Sequence, residues 1–264
     1  MTSPTRVEIA RAAAAAGAAA AAEYLRRPAI ARWDKADGSI VTEADLAAEQ
    51  AVLAVLHRFA PGEAVLAEES GGATELSEVW IVDPIDGTEN FSRRHPVWGT
   101  LVAWHDRDAV TAAAIDAPGL DRRWWAAAGQ GAHGVSGRLQ TSAVRERRSA
   151  GFTFGGAHEY PVPAWEALAD VARGFRTAWG WGNFWGHMMV AEGSVDAALS
   201  YGTSPWDVAA PALIVAEAGG TWTDMSGARD LRSGSLLTTN GELHDELIAD
   251  LRRCPTPPNN LMSD

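Results

Sequence analysis

Asp83 and Asp86 stand three positions apart, separated by Pro84 and Ile85 and followed by Gly87 and Thr88. The apolar run 79–82 leads straight into them, which predicts a strand with both acids at its rigid end. Proline fixes the backbone there, glycine lets a ligand come close, and threonine adds a hydroxyl. Two carboxylates on so stiff a turn suit a hard, oxygen-seeking cation such as Mg²⁺. The same residues also fit an Asx-type turn that merely caps the next segment, and the hexapeptide alone leaves both readings open. Further acids shift the balance. Glu68 and Glu69 follow the apolar run 64–67, Asp207 opens a helical pattern just after Trp206, and Asp45 lies three residues beyond Thr42 in a capping-box pattern. Each has an ordinary explanation, but all of them lie at the ends of apolar elements.

The elements that must hold these residues follow from periodicity and punctuation. Residues 5–27 read as an alanine-rich helix ended before Pro28, and 42–58 as a helix stopped at Pro61-Gly62. Residues 64–67, 79–82, 100–104 and 109–115 read as strands, the last two paired around Asp106-Arg107-Asp108, with a further hairpin over 122–128 and 134–141. Beyond 142, helices are expected at 165–173, 186–192, 206–218 and 241–252, and strands at 195–199 and 236–239. Strands that pair in hairpins favour an α+β fold with largely antiparallel sheets over a regular doubly wound one. The expected division is an N-terminal subdomain at 1–141 carrying most of the acids, a C-terminal subdomain at 142–254 closing the site, and a loose tail at 255–264.

The chain has 264 residues and a formal charge of −12, which argues against nucleic acid or an anionic membrane as partner. A small phosphorylated substrate stays open, because bound cations reverse the local field. The run from Ala12 to Ala22 is too short and too weakly apolar to span a bilayer. The single cysteine, Cys254, forms no internal disulfide, so a reducing cytoplasm is the natural setting.

Four ordered stretches resemble the inositol monophosphatase family: Val41-Thr42-Glu43-Ala44-Asp45, Ala67-Glu68-Glu69-Ser70, Trp80 to Phe91 around Asp-Pro-Ile-Asp-Gly-Thr, and Trp206-Asp207-Val208-Ala209-Ala210 followed by Glu217-Ala218-Gly219-Gly220. The resemblance runs from about residue 5 to residue 252. It implies a layered α/β/α/β/α sandwich, a homodimer, inhibition by Li⁺, and a phosphatase using two or three Mg²⁺ ions. By that resemblance Glu68, Asp83 and the Ile85 carbonyl hold one ion, and Asp83, Asp86 and Asp207 a second. Asp45 and Thr88 position or deprotonate the attacking water, and the Gly87 and Thr88 amides cradle the phosphate. A metal-binding relative without turnover is the alternative of another class.

Within the family the chain is most similar to histidinol-phosphate phosphatases of high-GC bacteria, through Pro96-Val97-Trp98, Arg122 to Ala127, Val190-Ala191-Glu192-Gly193 and Thr239 to Glu246. That branch implies histidine biosynthesis. Two substrate-facing positions depart from it. Ser200 stands where the family usually has a glutamate seven residues before Asp207, and Asn183 where the branch usually has an aspartate. An ammonium substrate loses two charged partners there, so an inositol, sugar or nucleoside phosphate is the alternative. Two other motifs are set aside. The aspartate pair of haloacid-dehalogenase phosphatases is separated by one residue rather than two, so no covalent aspartyl phosphate is expected. Gly129 to Gly134 matches a dinucleotide fingerprint but leads into a strand-like segment, which reads as a hairpin turn. Most of the 12 tryptophans are expected in the core or at a dimer interface, with one or two facing substrate.

Overall fold

The computed structural model describes residues 4–35 and 38–257. They divide into two compact units, the first reaching Gln130 and adding 134–136, the second holding 131–133 and everything from Gly137. The first unit begins with helix α1 (Arg6–Tyr24), whose N-cap Thr5 and Glu8 form a capping box. A short hairpin, β1 (Arg32–Asp34) with β2 (Ile40–Thr42), leads into α2 (Glu43–Phe59). Then come β3 (Ala64–Ala67), β4 (Gly71–Gly72), β5 (Val79–Asp86), a five-residue helix α3 (Thr88–Ser92), β6 (Gly99–His105), β7 (Val110–Ala117) and β8 (Arg122–Ala127). Strands β5 to β8 form an antiparallel meander, while β3 runs parallel to β5 and antiparallel to β4.

Helices α1 and α2 cover one face of this sheet. Ile9, Ala10, Ala13 and Ala14 of α1 and Val52 and Leu56 of α2 pack on Trp80, Val82, Val102 and Trp104. Alanines let α1 lie close to its neighbours, and Gly17 marks a tight approach, since a Cβ there would sit 2.7 Å from Val52 Cγ2 of α2 and 2.8 Å from Thr100 Cγ2 of β6. The Trp80 indole N–H is satisfied by Glu63 at 2.8 Å.

The chain crosses to the second unit over 131–137, where β9 (Ala132–Gly134) and β10 (Gly137–Arg138) occur. No helix follows Gly134, which removes the dinucleotide-binding reading. The second unit holds β11 (Gly151–Phe154), α4 (Val162–Arg173), β12 (Thr177–Trp179), α5 (Asn183–Ala191), β13 (Ala197–Tyr201), α6 (Pro205–Glu217), β14 (Thr221–Thr223), β15 (Ser235–Thr239) and α7 (His244–Leu251). Its sheet runs β12-β11-β13-β15-β14, with parallel pairs at β11 and antiparallel pairs at β15. Leu168 and Val171 of α4 and Leu247 and Leu251 of α7 bury against Phe152, Leu199 and Leu237. Both units are α+β. Strands β1, β2, β11, β12 and β14, each four residues or fewer, escape sequence reading because so short a run carries no clear period, whereas the equally short β3 shows through its unbroken apolar run. Of the tail expected to be loose, 258–264 lies outside the described residues, and Cys254 is buried. Among the described residues no helix is long and apolar enough to cross a membrane.

Candidate active site

Sequence reasoning ends the strand at Asp83-Pro84; the structure carries β5 through Asp86. In a regular strand, residues three apart point to opposite faces. Here the register against β6 shifts: Asp83 faces Leu101 and Asp86 faces Gly99. This bulge re-aims the side chains, and carboxylate oxygens of Asp83 and Asp86 come within 4.8 Å of each other. Both residues are buried, at 1% and 7% exposure. Pro84 has no N–H to leave unpaired at the irregularity, and its carbonyl accepts from Thr100 Oγ1 at 2.7 Å. Ile85 turns its side chain into a small core of Ala44, Ala48, Phe91 and Trp98, which anchors the segment from beneath.

Gly87 adopts a left-handed φ of 92° as the N-cap of α3, a conformation glycine takes without penalty. Thr88 follows as the first helical residue. Its Oγ1 lies 3.0 Å from Asp45 Oδ1 and 3.0 Å from the Ile85 carbonyl oxygen. Both neighbours are acceptors, so Thr88 donates its one proton to them and keeps its lone pairs for an incoming donor. Asp45 does two things. Its Oδ2 closes the α2 capping box, accepting from the Thr42 amide at 2.8 Å and the Thr42 hydroxyl at 2.5 Å. Its Oδ1 is thereby aimed at Thr88. Asp45 is fully buried, and burial raises its carboxyl pKa against the lowering effect of those hydrogen bonds.

Glu68 and Glu69 leave the end of β3, where the Glu68 amide bonds the Val82 carbonyl at 3.1 Å. Two partners were not foreseen from the sequence. Lys35 sends its ammonium between them, 2.8 Å from Glu68 and 2.7 Å from Glu69. Burial disfavours that ammonium, but the two glutamates outweigh it and raise its pKa. Burial pushes Glu69 up to about 7, with Glu68 adding to the rise and Lys35 opposing it. Buried Glu49 accepts the Glu69 amide at 2.9 Å. Its signal was available, because Glu49 lies four residues after Asp45 and so on the same helical face. Lys35 gave none, since a lone lysine before a glycine turn reads as solvated surface.

In the second unit, Asp207 is the third residue of α6 and its carboxylate accepts the Ser204 amide at 2.6 Å, completing another capping box. Asn183 begins α5 with a left-handed φ of 57°, three residues earlier than the expected start of that helix. Ser200 is a buried residue of β13, and its hydroxyl bonds Nε2 of His187 at 2.9 Å. The other ring nitrogen of His187 meets Thr238 Oγ1 at 2.8 Å. Burial lowers the His187 pKa to about 3, so the ring is neutral. Of the tryptophans, Trp80, Trp98 and Trp124 are core residues, whereas Trp181 stacks on Trp179 with ring centroids 4.8 Å apart and stays half exposed.

The first unit's donors are hard anionic oxygens, with no thiol or imidazole grouped with them among the described residues, the set that a divalent ion such as Mg²⁺ prefers. An internal ammonium already seated on two of these carboxylates shows that the pocket accepts positive charge. Buried acids gathered at a strand bulge, with a fixed hydroxyl alongside, are the equipment of a metal-dependent hydrolase.

Comparison with known proteins makes that class specific. Residues 4–256 match the inositol monophosphatase family. The chain is 41% identical to the histidinol-phosphatase of Mycobacterium tuberculosis over 82% of its own length and 86% of the relative's. It is 40% identical to that of Streptomyces coelicolor over 83% and 86%. The inositol monophosphatase of Anabaena superposes with a TM-score of 0.82 at 28% identity, covering 95% of this chain and 96% of the other. The chain belongs to the inositol monophosphatase family, and is a phosphoric monoester hydrolase with the layered α+β fold of that family.

Proposed function

We propose that the chain hydrolyses a small phosphate monoester by water attack assisted by two or three Mg²⁺ ions, and that histidinol phosphate, yielding histidinol and phosphate, is its substrate. The observation that carries the reaction is the hydrogen bond from Thr88 Oγ1 to buried Asp45 beside the Asp83 and Asp86 carboxylates. Relatives named histidinol-phosphatase at about 40% identity support the substrate. Family motifs assign Glu68, Asp83 and the Ile85 carbonyl to one ion and Asp83, Asp86 and Asp207 to a second. When bound, the ions supply positive charge against the phosphate and leaving oxygen and acidify a water. Thr88 holds that water through its free lone pairs while its own proton rests on Asp45 Oδ1. Asp45 then takes the proton through Thr88, its orientation fixed by Thr42. The Gly87 and Thr88 amides orient the phosphate.

A second reading has a specific observation behind it. Ser200 pairs its hydroxyl with a neutral histidine and Asn183 carries no charge, so neither offers an ammonium group a carboxylate. An inositol, sugar or nucleoside phosphate suits such residues better. The deciding measurement is kcat/KM with Mg²⁺ for histidinol phosphate, inositol 1-phosphate and a nucleoside monophosphate, with Asp83→Asn as control. A preference for histidinol phosphate of about tenfold, or 1.4 kcal/mol, removes the second reading. The reverse preference removes the first, and absence of phosphate release from all three favours a silent metal-binding relative. Assembly as a homodimer in the cytoplasm is part of the proposal, and light scattering of the purified chain tests the former.

A further inference from the structure

A hollow on the first unit, two strands across the sheet from β5, has the makings of a second binding site. It lies where α1 crosses β7 and β8. There α1 presents short alanines such as Ala15, and they leave a gap of about 270 Å³. That is near the small end of ligand-pocket volumes, about 300–1,000 Å³, and excludes a nucleotide-sized guest.

Its polar lining consists of Glu8, Arg11, Asp116 and Arg123. Asp116 is 4% exposed and makes one side-chain contact among the described residues, Oδ2 with Arg123 Nε at 2.8 Å. Burial raises its carboxyl pKa, and the Arg123 charge and hydrogen bond oppose that rise. Arg123 meets it through Nε, and with 64% of its side chain exposed the guanidinium also borders the hollow. Arg11 lies 4.1 Å over the Trp125 ring and forms no close ion pair among the described residues, although its charge helps lower the pKa of Glu8. Glu8 is occupied, accepting from the Thr5 amide at 2.7 Å and the Thr5 hydroxyl at 2.8 Å.

Two arginines and two carboxylates leave the hollow with no net charge, within a chain of −12. A bare anion or cation gains no net attraction there. A dipolar molecule does, if it sets a carboxylate against the arginine forks and an ammonium against the Asp116 carboxylate. The alanine floor and the Trp125 ring then receive an apolar part. From this geometry we infer that the hollow binds a free α-amino acid with an apolar or aromatic side chain.

The test titrates the full chain with the common L-amino acids by calorimetry, at concentrations up to about 10 mM. Each amino acid that binds is then compared with its decarboxylated amine and its deaminated acid. Binding is expected for at least one apolar or aromatic amino acid, with each single-charge analogue weaker by about tenfold or more. Ala15→Leu fills the hollow from a half-buried helix position, so it should abolish this binding while leaving thermal stability and phosphate release unchanged. Asp116→Asn should weaken the amino acid and leave the deaminated acid unaffected. If Asp116→Asn does not fold, Ala15→Leu decides alone. No binding by any amino acid, binding untouched by Ala15→Leu, or an analogue binding as well as its parent would each overturn the inference.

Discussion

Asp83→Asn separates the cost of the acidic cluster from its use. The substitution keeps the side-chain shape and deletes one of two buried charges whose oxygens lie within 4.8 Å. Two like charges at that separation repel by about 3 kcal/mol at an effective dielectric of about 20. Some of this is offset by hydrogen bonds to the ionised carboxylates, so a gain of about 1–3 kcal/mol is expected in the metal-free protein. At about 2–4 °C per kcal/mol for a chain of this length, that is a rise of several degrees in Tm. Thermal unfolding in EDTA should therefore rank the variant above the wild type. Added Mg²⁺ should raise the wild-type Tm with a saturating dependence and leave the variant nearly still, reversing or closing the gap. Phosphate release should fall by about 100-fold or more, beyond the usual effect of disturbing a ligand's supporting contacts. A variant less stable than wild type in EDTA would refute the repulsion argument. An equal Mg²⁺-induced shift in both proteins would refute Asp83 as a ligand.

Three further outcomes follow. Thr88→Ala should lower kcat by about 10²- to 10⁴-fold, the range for losing a proton-relay group, while Thr88→Ser restores most of it. His187 is held at about 3 in the fold against an ordinary value near 6.5, so the unfolded chain binds the extra proton first. Its stabilising contribution is complete above about pH 6.5 and falls by about 1.4 kcal/mol per unit between there and pH 3, a slope that urea unfolding of His187→Gln should flatten. Gly17→Ala gains about 1 kcal/mol of helix preference, but its Cβ meets Val52 Cγ2 at 2.7 Å and Thr100 Cγ2 at 2.8 Å. Overpacking of about 1–3 kcal/mol should outweigh that gain and lower the urea midpoint.

What was legible in the sequence was whatever a local pattern dictates. Thr42 with Asp45 predicted a helix start with a capping-box acid, and β6 and β7 showed themselves by apolar runs around a charged turn. Long-range placement was not legible. Nothing local reveals that β5 continues through Pro84, because the bulge exists only against the partner register of β6. Lys35 acquires meaning only when the β1–β2 hairpin lays it beside Glu68 and Glu69. Ser200 reads as a substrate-facing replacement for an acid, and only the fold shows β13 burying it against a histidine from α5.

The capping boxes explain why Asp45 and Asp207 were among the legible residues. Asp45 and Asp207 each occupy the third position of a helix opened by a threonine or a serine. A carboxylate has two oxygens, and the cap binds through Oδ2 in both residues. The helix start thus fixes the side-chain torsions and aims the remaining oxygen, with rotamer freedom already lost to the fold rather than at the moment a ligand binds. Substituting either aspartate by alanine therefore removes a cap worth about 1 kcal/mol along with the chemistry. Asparagine tests the chemistry more cleanly, because its carbonyl oxygen can still accept the capping hydrogen bond. If Asp45→Asn and Asp45→Ala lose the same activity but differ in Tm, the two roles are separable, as the division of labour between Oδ1 and Oδ2 requires.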